Sequence, residues 1–145
     1  MAETARDWME SLPAVVRDRR AALLLLRYGP PSGGGGGSLC GGDHSDPTAA
    51  RALSDEAARV RLREADAALA EADARFAGLR ALCGDRAEPV RCHYVCEQTW
   101  AEVAAGWGVC ERTLRGWRDQ LCDTADALGW ARVKEGNGIA EEGRW

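Results

Sequence analysis

The sequence predicts an all-α protein: a long antiparallel helical hairpin followed by a C-terminal helix-turn-helix. Three observations carry this. Alanine dominates the apolar residues in company with Arg, Glu and Leu, a set of good helix formers, and no run of β-formers stands out in the 145 residues. Apolar residues at 58–83 recur in alternating steps of four and three. The stretch 99–121, TWAEVAAGWGVCERTLRGWRDQL, sets a capping pair, a small residue and a glycine at offsets that suit two helices joined by a turn.

The bulk properties fit one ordinary domain, or a small domain with an appendage. A formal charge of −4 argues against strong non-specific affinity for nucleic acid, because freely acting binders are more often basic. Six cysteines stand at 40, 83, 92, 96, 110 and 122. The first residues, MAETARDWME, contain acids and lack the apolar core of a signal peptide. The longest apolar run, Ala21–Leu26, is far too short to span a bilayer. The expectation is a cytoplasmic protein with reduced thiols and no membrane partner.

Residues 1–28 form an N-terminal helix in which Trp8, Leu12, Val15, Val16, Leu23 and Leu26 recur at helical spacing. Pro13 either kinks this helix or marks a late start, with Ser11 as its N-cap. Residues 29–46 contain five consecutive glycines at 33–37 and read as a flexible linker. A phosphate-cradling loop would need a Lys-Ser/Thr pair or a helix start at the glycines, and neither is present. Residues 47–84 read as one long helix, with Asp46 as N-cap and Pro47 as first residue. Its heptad seam comprises Ala58, Leu62, Ala65, Leu69, Ala72, Phe76, Leu79 and Cys83. This Ala-rich seam suits close packing against the first helix folded back, or against a second copy in a homodimer through 58–83. Gly84 and Asp85 end the helix. Pro89 opens a short helix at about 87–97, which begins the C-terminal module of residues 85–127. Residues 128–145 read as a disordered tail in which Trp130 and Trp145 have no assigned role.

In the module, Thr99 followed by Glu102 is a capping box for a helix over 100–105. Ala104 is the small residue where a second helix crosses, and Gly108 takes the left-handed turn position. The second helix starts at Cys110 and runs to about Leu121, with Leu114, Trp117 and Leu121 on its buried side. Arg112, Arg115, Gly116 and Asp119 then face away, with Glu111 and Arg118 on the flanks. Arginines so placed can grip guanine edges or phosphates. Gly116 costs about 1 kcal/mol of helix propensity, which close approach to DNA would justify. The N-terminus at Thr99 can donate to a phosphate. The candidate DNA-binding residues are therefore Thr99, Cys110, Glu111, Arg112, Thr113, Arg115, Gly116, Arg118 and Asp119. A plainer alternative is a solvated ladder, since Glu111–Arg115 and Arg115–Asp119 are both i,i+4 pairs. From Arg86 to Leu121 five arginines face five acids, so long-range attraction to DNA is weak.

The segment HYVCEQTWAEVAAGWGVCERTLRGWRDQ resembles the sigma-factor region-4 type of helix-turn-helix, and more closely the small phage late-transcription regulators of the RinA/ArpU kind. The resemblance rests on Tyr94-Val95, on Thr99-Trp100-Ala101-Glu102-Val103-Ala104, on Gly108-Val109, and on Thr113-Leu114 with Trp117-Arg118. Ser45-Asp46-Pro47-Thr48 before a long helix fits the same layout. Cys110 stands where such proteins commonly have a Ser N-cap, and the module is less basic than theirs. The resemblance implies double-stranded DNA as partner, RNA polymerase as a further one, and control of late phage or prophage genes.

Catalysis finds no support. No paired carboxylates or nucleophile elbow is present, and neither His44 nor His93 has a nearby Ser or Cys with triad logic. Cys92, His93 and Cys96 are the one tempting metal cluster, but no second pair completes four zinc ligands, so neither metal nor cofactor is expected. Two rival functions remain open: a small terminase-like DNA-packaging component, and a helical protein-interaction module.

Overall fold

The computed structural model describes residues 3–29 and 47–135, and every regular element among them is helical. In chain order these are α1 (Ala5–Tyr28), α2 (Pro47–Cys83), α3 (Ala87–Val95), α4 (Trp100–Trp107) and α5 (Glu111–Leu128), followed by a helical segment at 130–135. The predicted all-α class is what the protein adopts. The glycine run, Cys40, His44, the Asp46 cap and residues 136–145 lie outside the described residues. No helix among the described residues is long and apolar enough to cross a membrane.

The chain divides into two compact units, Arg17–Ala67 and the remainder from Met1 to Val16 and from Ala68 onward. In the Arg17–Ala67 unit, the last turns of α1 and the first half of α2 run antiparallel. Arg19 Nε donates to Asp66 Oδ1 at 2.7 Å, and Gly29 sits against the Arg51 guanidinium. Ala22, Ala58 and Ala65 are buried there. Small residues allow the backbones to approach and leave little side-chain entropy to lose.

The larger unit builds its main core from α1, α2, α3, α5 and the 130–135 segment. Trp8, Met9 and Leu12 of α1 meet Ala72, Phe76 and Leu79 of α2, with Val90 and Tyr94 of α3 and Leu121 and Ala125 of α5. The start of α1 is fixed twice. Thr4 Oγ1 accepts from the Asp7 N–H (3.1 Å) while Asp7 Oδ2 accepts from the Thr4 N–H (3.4 Å), an aspartate version of the capping box. The Ala5 N–H donates to Asp126 Oδ1 of α5 at 2.9 Å. The helix therefore begins well before Pro13 and runs through it. Ser11 is not an N-cap; its hydroxyl donates back to the Trp8 carbonyl at 2.6 Å.

All eight predicted seam positions of α2 are buried or half-buried within the single chain. The 58–83 seam is thus covered within the chain to this extent.

Residues 128–135 depart from the expected disordered tail. Val133 is 0% exposed. A Cβ at position 78 would overlap the Val133 carbonyl, so only glycine lets this segment lie against α2. The Trp130 and Trp8 rings pack at 4.8 Å, and the Arg75 guanidinium lies 4.6 and 4.7 Å from their centroids. Glu71 receives both Lys134 Nζ (2.6 Å) and Arg75 Nε (3.3 Å), and the Lys134 bond holds its carboxyl below the usual range. Hydropathy misses this segment because one buried Val and one half-buried Trp, rather than a periodic stripe, hold it.

Candidate nucleic-acid interface

Helices α3, α4 and α5 pack pairwise on one another. The Thr99 side chain caps α4 by accepting from the Glu102 N–H at 3.1 Å, a bond worth about 1 kcal/mol. Gly108 ends α4 in the left-handed region (φ 68°, ψ 32°), and the Val109 N–H returns to the Ala104 carbonyl at 3.1 Å. Only glycine enters this conformation without a Cβ penalty. The turn lies one or two residues later than the sequence suggests, because α4 continues through Trp107.

Three buried residues form the α4–α5 seam: Val103, Ala104 and Leu114. Val109 and Cys92 close its edges, while Trp100 and Trp117 pack on both this seam and the larger core. Trp117 is half-buried rather than fully internal. Helix α5 continues past Leu121 to Leu128, and Cys122 and Ala125 in that extension are buried. The extra turns follow from a longer apolar stripe, whose last member Ala125 a hydropathy scan undervalues.

Cys110 is the α5 N-cap residue, with φ −88° and ψ 158°. Its Sγ lies 3.1 Å from Thr113 Oγ1. Hydrogen bonds from Thr113 side chain and backbone hold this exposed thiol below its ordinary pKa. Thr113 is half-buried and engaged by Cys110.

Glu111, Arg112, Arg115, Gly116 and Asp119 are exposed on one side of α5. Arg115 pairs with Glu111 at 3.4 Å, both about half exposed. Such a pair contributes a few tenths of a kcal/mol and is readily exchanged for an external anion. The Arg112 side chain has no partner among the described residues. A Cβ at Gly116 would meet nothing within 4 Å, so the packing of this chain does not require glycine there.

Arg118 corrects the sequence assignment: it is 9% exposed and belongs to the interior. Its guanidinium lies 5.7 Å over the Trp100 ring, and its Nη2 is 3.0 Å from Asp119 Oδ1. Burial opposes its charge, yet hydrogen bonds with Tyr94 and Asp119 raise its pKa above the ordinary value. Asp119 is thereby the counter-ion of Arg118, not an i,i+4 partner of Arg115. A helical wheel puts Arg118 on a flank; Tyr94 of α3 and Trp100 of α4 draw it inward.

Those aromatics are the part sequence reasoning missed. His93 stacks on Trp100 with centroids 3.7 Å apart and planes at 16°, and Tyr94 meets Trp100 edge-on at 5.8 Å. His93 Nδ1 is 2.7 Å from the Gln98 carbonyl. Burial lowers the His93 pKa, and Arg118 and Arg115 add to that against the Gln98 bond. The stack fixes the α3–α4 connection, where Glu97 takes φ 58°, rare for a residue with a side chain. The signal was present in the spacing of His93, Tyr94 and Trp100, but a helix break lies between them and no fixed period links them.

No protein-family model, curated protein or solved structure matches this chain significantly. Among the described residues no three His, Cys, Asp or Glu side chains are grouped to hold a metal ion.

Proposed function

We propose that this protein is a sequence-specific, double-stranded DNA-binding transcription regulator of phage or prophage late genes, with α4 and α5 acting as a sigma region-4-like helix-turn-helix. The observation that carries the reading is the exposed side of α5. Arg112 is unengaged there, Arg115 is held only by a surface pair, and Gly116 between Arg115 and the core stripe is open. Thr99 capping α4, the left-handed Gly108 and the buried small Ala104 support this reading, in which α5 enters the major groove. The phage assignment rests on the sequence resemblance alone, as does RNA polymerase as a partner.

Local charge balance implies modest, salt-sensitive affinity. Two arginine–phosphate contacts give a slope of about −2 for log affinity against log salt. The test is binding to fragments from the chain's own upstream region, by fluorescence anisotropy over a salt series. Arg112→Ala with Arg115→Ala is expected to abolish specific binding and flatten the slope. Unchanged binding by that double variant refutes the assignment.

A second reading, a helical protein-interaction module, is favoured by one observation. Leu23, Leu24, Tyr28, Leu53 and Val60 are all exposed in the Arg17–Ala67 unit. Absence of any DNA shift at low salt, with retained fold, selects it.

A further inference from the structure

Cys92 and Cys96 lie one helical turn apart at the end of α3, Cys92 half-buried and Cys96 exposed. The Cys96 N–H donates to the Cys92 carbonyl at 3.1 Å, so the spacing between them is that of a true α-turn. At i,i+4 the Cβ atoms stand about 5–6 Å apart. A disulfide needs about 3.5–4.5 Å, so this pair does not close on itself without unwinding the turn. Two thiolates bridged by one metal ion, with bonds of about 2.3 Å, span the gap.

The coordination number follows from the neighbours. Glu88 is one turn earlier on the same face, but its carboxylate is taken by Arg91 at 3.3 Å. His93 is turned to the Gln98 carbonyl and stacked on Trp100. Among the described residues no third donor is grouped here, so the two thiols fall short of the four ligands that zinc requires. Soft thiolates favour copper(I), a d¹⁰ ion stable with two ligands in line. We propose that Cys92 and Cys96 form a two-thiolate site for a soft monovalent cation of the copper(I) class.

Binding releases both thiol protons and leaves a bis-thiolate complex of charge −1. Cys92 also packs on the Val103–Ala104–Leu114 seam.

The full chain is titrated anaerobically with copper(I) against bathocuproine disulfonate. One equivalent is expected, lost in Cys96→Ser, whose position is exposed and tolerant, and kept in the Cys83→Ser/Cys110→Ser double variant. Circular dichroism checks that each variant stays helical. Uptake that survives Cys96→Ser, or disappears in the double variant, overturns the site. So does a copper-dependent dimer in light scattering, which would place the two thiols on different chains. Incubation with glutathione disulfide is expected to leave both thiols free of a mutual bond. An intrachain Cys92–Cys96 disulfide formed at unchanged helicity overturns the spacing argument.

Discussion

Replacing Gly116 by alanine separates stability from recognition. A Cβ at this position meets nothing within 4 Å, so the substitution carries no steric cost in the free protein. It removes the entropy penalty of an interior helical glycine, a gain of about 0.8–1 kcal/mol. For a chain of this size that raises Tm by about 3–5 °C. On DNA the same methyl would project from the exposed face beside Arg112 and Arg115. If α5 lies in the major groove with its backbone close to the bases at this point, affinity falls while stability rises. Thermal denaturation followed at 222 nm gives the first quantity and anisotropy on a labelled fragment the second. The expected result is a higher Tm with at least a tenfold weaker complex, the equivalent of about 1.4 kcal/mol. A more stable protein with unchanged DNA affinity would refute close approach at Gly116. A lower Tm would refute the structural premise itself.

Three further substitutions probe the rest of the frame. Gly78→Ala has the same helix-propensity gain, but its methyl overlaps the Val133 carbonyl and would lift 130–135 off α2. Losing the buried Val133 and the Trp130 contacts outweighs the gain, and urea denaturation should show a net loss of about 1–3 kcal/mol. Arg118→Ala should destabilise by about 1–3 kcal/mol because Tyr94, Trp100 and Asp119 lose their shared partner, whereas Arg112→Ala should stay within about 0.5 kcal/mol; equal effects of the two on stability would contradict the burial difference. His93 has its folded pKa lowered below the ordinary 6.5, so the unfolded chain binds the proton more readily. Stability is then full above pH 6.5 and declines as pH falls through the folded value; His93→Phe, which keeps the stack on Trp100, should flatten unfolding midpoints measured between pH 5 and 7.

Much of the fold is written in short-range pattern. The α2 seam from Ala58 to Cys83 is visible because one helix face has a fixed period, and all its members are covered. Thr99 and Gly108 are legible because capping and left-handed turns depend on a few adjacent residues. The exposure of Arg112, Arg115 and Gly116 follows from the same periodicity. Where assignment depended on a distant neighbour, the sequence was silent or misleading. Arg118 reads as a surface cation until Trp100 and Tyr94 arrive from other helices. The tail reads as unstructured until Gly78, Arg75 and Trp8 supply its contacts.

The glycines mark the division most clearly. Gly78 and Gly116 each sit inside a predicted helix, and propensity assigns them the same local cost. Sequence alone determined the interiors of the five main helices, the Thr99 and Gly108 caps and the apolar face of α2, because those are set by neighbours within about a turn. Only tertiary structure decided that Gly78 is needed to admit a backbone carbonyl while Gly116 is open to solvent. That distinction depends on what stands opposite each backbone, set by contacts between segments far apart in the chain.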